Sequence, residues 1–133
     1  MKLVLACVGL ICAAGAACAK PVIYDCTIPP SNAGGGYIQP QMVVSHDVAS
    51  GSVLVYDALI ETETGAPLAA SITEETPKRL TITWKLVVKD NGGNVAKMDY
   101  RAVYLKGDKS FLVSARPSGF DNQFQGRGSC KVK

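Results

Sequence analysis

The chain has 133 residues, a formal charge of +3, 47% hydrophobic and 19% charged residues, and five cysteines. That length fits one domain behind a short leader, with enough chain for a modest core. So small a charge, with Arg101, Arg116 and Arg127 scattered along the sequence and forming no run interleaved with aromatics, excludes a nucleic-acid binder.

Residues 1–19 have the anatomy of a cleaved signal peptide. Lys2 supplies a charged start, Leu3 to Cys12 an apolar stretch, and Ala17-Cys18-Ala19 a small-residue cleavage site that leaves Lys20 first. Residues 3–19 fall short of the about 20 apolar residues that a spanning helix needs, so no transmembrane anchor is expected after processing. The rival is lipidation at Cys18, where Gly15 stands in place of the leucine usual three positions earlier. Export places the mature domain, 20–133, in the periplasm or outside the cell. Its Cys26 and Cys130 bracket almost the whole domain, and an even pair in that setting predicts a disulfide between the first and last strands.

In chain order, Val22 to Thr27 reads as a short strand and Ile28 to Tyr37 as a loop broken by Pro29-Pro30 and Gly34-Gly35-Gly36. Met42 to Asp47 and Ser52 to Asp57 form a hairpin around Ala49-Ser50-Gly51. Leu59 to Thr62 continues it or makes a separate edge, and no segment holds a helical period. Leu68 to Thr73 is the next strand, and Glu74 to Lys78 a connection. Arg79 to Lys89 alternates strictly, with Leu80, Ile82, Trp84, Leu86 and Val88 on one side, so one face meets a core. Asp90-Asn91-Gly92-Gly93-Asn94 supplies a tight reversal into Val95 to Leu105. After the Lys106-Gly107-Asp108-Lys109 turn come Ser110 to Ala115 and a closing strand, Phe124 to Lys133. Seven to nine short antiparallel strands predict an all-β sandwich or small barrel, and the terminal disulfide favours the closed form.

Candidate chemistry is sparse. His46 is the sole histidine, and its neighbours Ser45 and Asp47 point to the opposite face of a strand, so no triad forms along the chain. A metal site lacks ligands once both mature cysteines are paired, and the 90–94 loop lacks the spaced acids of a calcium loop. The triple glycine is not followed by the helix and Lys-Ser/Thr of a phosphate loop, so no cofactor is expected. Glu61 and Glu63 share a face if extended, but neither they nor Glu74-Glu75 have apolar neighbours to hold a catalytic proton. Trp84 and Tyr100 belong with the core. Tyr37, in the glycine loop with less core to enter, is the first ligand-contact candidate. Arg127, between Gly126 and Gly128 and so uncrowded, is the second.

Tyr24-Asp25-Cys26, Tyr104-Leu105-Lys106-Gly107-Asp108-Lys109 and the closing Cys130 resemble the membrane-bound inhibitors of C-type lysozyme, a family of small exported barrels with terminal cysteines. The resemblance implies an antiparallel barrel and an inhibitor-like role. The family's Ser-Gly-x-x-Tyr inhibitory segment has no counterpart at Tyr100-Arg101-Ala102-Val103, so no inhibitory residue is carried over. The pattern is similar as well to small exported bacterial proteins. The expectation is an exported, monomeric, non-catalytic binding module for a protein or glycan partner. The alternatives are a surface-assembly subunit and a hydrolase using His46.

Overall fold

The computed structural model describes residues 20–133. The leader, its cut after Ala19 and the alternative acylation at Cys18 lie outside the described residues. Eight antiparallel strands follow one another around a closed barrel: β1 (Val22–Thr27), β2 (Gln41–Asp47), β3 (Ser52–Asp57), β4 (Leu68–Glu75), β5 (Arg79–Lys89), β6 (Val95–Leu105), β7 (Ser110–Pro117) and β8 (Phe124–Val132). Each strand pairs with its sequence neighbour, and β1 pairs with β8 to close the ring. Barrel rather than sandwich follows from that last pairing, which leaves no open sheet edge among the described residues.

The predicted alternation sets which side chains face inward. Along β5, Leu80, Ile82, Trp84 and Leu86 are buried while Arg79, Lys85 and Val87 are exposed. Inward side chains from around the wall fill the interior: Tyr24, Met42, Val55, Trp84, Tyr100, Phe111 and Ala115 are each at most 7% exposed. Trp84 stacks on Tyr100 with ring centroids 5.2 Å apart, and Tyr24 meets Tyr104 edge-on at 4.8 Å. The interior is thus a packed core, as expected for a barrel of this strand number.

Cys26 and Cys130 are directly opposite in the β1–β8 register and form the predicted disulfide, with Cα atoms 3.9 Å apart. It therefore lies across the closing seam.

Two further segments cover the core. The first is a helix, α1 (Ala58–Thr64), which corrects the extended segment expected over Leu59 to Thr62. Asp57 caps it, its Oδ1 accepting the Ile60 N–H at 2.8 Å, and Gly65 ends it in the left-handed conformation at φ 74°. Seven residues are too short for a visible helical period, and the helix persists because Ile60, at 0% exposure, joins the core. Glu61 and Glu63 consequently do not share a face. The second cover is the 28–40 loop, where Ile28 is buried and Ile38 half-buried against the core.

Glycines make room for that loop. Gly126 and Gly128 are on the inward parity of β8, opposite Val113 and Phe111. A Cβ at 128 would overlap the carbonyl oxygen of Thr27, and one at 126 would sit 2.9 Å from Ile38 Cγ2. A larger residue at either position would lift the loop off the barrel.

The Glu74–Glu75 pair is at the end of β4, beside a bulge, and not in a connection. The two carboxylates make ion pairs, Glu74 with Arg79 at 3.5 Å and Glu75 with Lys106 at 2.9 Å.

Candidate functional site

The same alternation that buries one side of β5–β8 projects the other side outward, and adjacent strands bring distant sequence positions into rows. Thr83 is beside Arg101, which is beside Ser114, which is beside Gln125. In the next row Thr81, Val103, Leu112 and Arg127 are neighbours in that order. Arg79 pairs with Leu105, and Asp99 lies between Lys85 and Arg116. All four arginines of the chain therefore share one outer face. This corrects the scattered arrangement read along the sequence: positions 101, 116 and 127 are far apart in number and close in the sheet.

A groove of about 800 Å³ runs over this face. Val103 and Leu112 line its floor, Arg79, Arg101 and Arg127 border it, and Pro29, Pro30, Ser31 and Ala33 form one wall. A second depression of about 620 Å³ shares Arg101, Ser114 and Gln123 with the first and continues to Arg116, Lys85 and Asp99. The floor is unusual for the outside of a barrel. Val103 is 9% exposed and Leu105 and Leu112 are half-buried, and Thr81, beside Val103 but not lining the groove, is 1% exposed. The Thr81 hydroxyl has no hydrogen-bond partner among the described residues.

Charge on the face is unbalanced. Arg79 is paired with Glu74, and Lys85 approaches Asp99 at 3.6 Å, beyond hydrogen-bond reach. Ser118 donates to the other oxygen of Asp99 at 3.0 Å. Among the described residues, Arg101, Arg116 and Arg127 have no carboxylate within 4.0 Å, and all are exposed. A guanidinium presents five donors in a planar fork suited to carboxylate or phosphate, so two free forks beside an apolar floor, with a third in the adjoining depression, form a surface for anions carrying apolar groups.

The two residues singled out from sequence fall in different places. Arg127 is exposed on the groove's border, though for a different reason from the one inferred. Its flanking glycines face inward and accommodate the 28–40 loop, and the arginine's freedom comes from the outward parity it occupies. Tyr37 enters the core that its loop was expected to deny it. Its ring packs against Phe124 with centroids 4.8 Å apart, and its carbonyl accepts the Tyr100 hydroxyl at 2.8 Å. The glycine loop is thus a plug: Gly35 and Gly36 take left-handed φ of 58° and 79°, and a Cβ on Gly35 would strike the Phe124 ring. Its upstream half, Pro29 to Ala33, is the part that borders the groove.

The other candidate groups are inside or engaged in turns. His46 is 4% exposed, on the inward parity of β2 beside Val22 and Val53, and so away from the groove. Asp90 closes its hairpin, with Oδ1 accepting the Gly92 and Asn94 N–H groups at 2.9 and 2.8 Å. The Asn94 side chain and these N–H groups hold its carboxyl below the usual carboxylate range. Asp108 is lowered likewise, first by the Ser110 hydroxyl. No group of three His, Cys, Asp or Glu gathers at metal-binding distance among the described residues. A second exposed apolar strip, Val43, Leu54 and Tyr56, lies on the outer face of β2–β3.

Arg101 and Arg116, and their meeting with Arg127, escape a linear reading because the only signal of it is parity. Each arginine sits at an outward position of its strand, and register must be assigned across three strands before they are seen to meet. No protein-family model, curated protein or solved structure matches the chain.

Proposed function

We propose that this chain is an exported binding module, without catalytic chemistry of its own, that holds an anionic partner in the groove outside β5–β8. The observation that carries the reading is that Arg101 and Arg127 border the sunken Val103–Leu112 floor and Arg116 lines the adjoining depression, none of the three ion-paired among the described residues. Free guanidinium groups that share a concave, partly apolar surface attract anions more strongly than the same charges dispersed. The side chains filling the barrel favour a partner bound outside over a small molecule carried within. Export accords with the terminal disulfide, which persists in an oxidising compartment. Closure of the ring supports a monomer, since strand addition needs an open edge to join.

Affinity capture tests this. The wild-type chain and an Arg101→Gln/Arg127→Gln variant are immobilised and exposed to the same cell-envelope extract. The reading expects a partner retained by the wild type and lost from the variant. Identical captures, or none from the wild type, overturn it.

The apolar strip Val43–Leu54–Tyr56 favours a second reading, self-association in a surface assembly. Sedimentation across a hundredfold concentration range separates the two, because an assembly subunit gains mass with concentration and the binding module does not.

A further inference from the structure

We infer that the groove's partner is a protein, and that what it inserts is an extended segment carrying two acidic residues four positions apart with an apolar residue midway. The inference rests on the groove being a binding site and goes on to name what binds there. Arg101 and Arg127 are two strands apart and one outward step apart along the sheet. With strands about 4.8 Å apart and outward residues about 6.8 Å apart, their Cα atoms are separated by about 12 Å. The line between them crosses β7 between Ser114, beside Arg101, and Leu112, beside Arg127 and Val103.

An extended chain repeats its facing every second residue and rises about 3.3 Å per residue, so positions i and i+4 lie about 13 Å apart on one side with i+2 between them. Carboxylates at i and i+4 would thus meet the two guanidinium forks while the central side chain covers Leu112 and Val103. Fork-to-carboxylate pairing is planar and bidentate, which fixes the register of the segment. The rigid Pro29-Pro30 wall keeps the segment from sliding sideways.

The chemistry of the lining selects protein over glycan or single-stranded nucleic acid. Single-stranded nucleic acid is held in large part by aromatic platforms on which bases stack, and neutral sugars pack on aromatic faces in the same way. Here Trp84 and Tyr100 touch the second depression but stack on each other inside the barrel and are 4% and 2% exposed, so neither offers a ring face to a ligand. What lines the groove outside is guanidinium, aliphatic floor and proline, with the hydroxyls and amides of Ser31, Ser114, Gln123 and Gln125 between them, a set that complements acidic and apolar side chains on a hydrogen-bonding backbone.

The test is titration of the isotope-labelled chain, purified after expression of the full sequence, followed by amide NMR. The probes are a capped peptide Ser-Glu-Ser-Leu-Ser-Glu-Ser, its isomer with the two glutamates adjacent, its Glu-to-Gln analogue, and an oligouronate of equal charge. The expected result is that the first peptide shifts the amides of Val103, Leu112 and Gly126. It should bind about tenfold tighter than the isomer or the Gln analogue, and Arg101→Gln or Arg127→Gln should each remove about tenfold. Lys89→Gln, at the far end of β5 from the floor, is the control that leaves affinity unchanged. Equal binding of the isomer, or tighter binding of the oligouronate with the same amides shifting, overturns the acidic-segment inference and leaves the groove standing. If no probe moves the groove amides, both fall.

Discussion

Tyr100, in the middle of the core, donates its hydroxyl to the backbone carbonyl of Tyr37 at 2.8 Å, across 63 positions of sequence. The bond fastens the 28–40 loop to the barrel wall. Tyr37 packs against Phe124 on the inside of that loop while Pro29 to Ala33 border the groove on the outside, so one phenol connects core packing to the shape of the candidate site.

Replacing Tyr100 by Phe keeps the stack on Trp84 and removes only the donor. The expected cost is about 1 kcal/mol by urea denaturation at pH 7. Burial, with Asp57 and Tyr37 nearby, pushes the Tyr100 phenol well above its ordinary value of 10.0. Its contribution is therefore fully present below pH 10.0 and is lost as pH rises beyond it, where the unfolded phenol ionises first. The wild type should lose stability more steeply than the Phe variant above that pH. Parallel curves would count against the buried phenol as the cause.

Gly128→Ala should be among the most damaging single-methyl changes in the chain, since its Cβ meets backbone and not a side chain that can turn away. Overpacking of this kind costs about 1–3 kcal/mol. Gly107, whose added Cβ would meet nothing within 4 Å, supplies the comparison: Gly107→Ala should change the midpoint little. Similar midpoints for the two variants would contradict the close approach of Thr27.

The disulfide spans 104 positions. Removing a cross-link that closes a loop of about 100 residues costs up to about 4.7 kcal/mol on chain entropy. Cys26→Ala/Cys130→Ala should lower the urea midpoint correspondingly, and reduction of the wild type should reproduce the loss. An unchanged midpoint in both would show that strand pairing alone secures the seam.

Asp57 caps α1 from a buried position, and burial raises its carboxyl above 3.8 even though the Ile60 and Leu59 N–H groups pull it down. The stability tied to its protonated form is full below pH 3.8 and is lost as pH climbs through the raised value. Asp57→Asn keeps an oxygen for the cap and carries no charge. Measured by urea denaturation, its stability relative to wild type should be more favourable at pH 7 than at pH 4, and Asp57→Ala should follow the same trend while lying about 1 kcal/mol below Asp57→Asn at both through the lost cap.

The strands are legible where alternation is long. Arg79–Lys89 and Val95–Leu105 have the bounds that their periodicity gives, because each buries one parity along most of its length. Helix α1 is not legible as a helix: Leu59 and Ile60 are adjacent, and two turns give no repeat to detect. Its terminators are present, with Asp57 before it and Gly65 and Pro67 after it, and they outweigh the β-branched residues within it. Of the site, Arg127 stands out in the sequence by its glycines, whereas Arg101 and Arg116 do not. A linear sequence shows charges fifteen and eleven positions apart, while a meander folds those intervals back on themselves.

Every hairpin in this molecule joins strands that follow directly in the chain, and only β1 and β8 must find each other from opposite extremities. Until they meet, the immature sheet is an open ribbon with two unsatisfied rims, each able to recruit a stranger's backbone. Pairing of β1 with β8 turns the ribbon into a ring and retires both rims together, and the Cys26–Cys130 bond ties that closure across the seam.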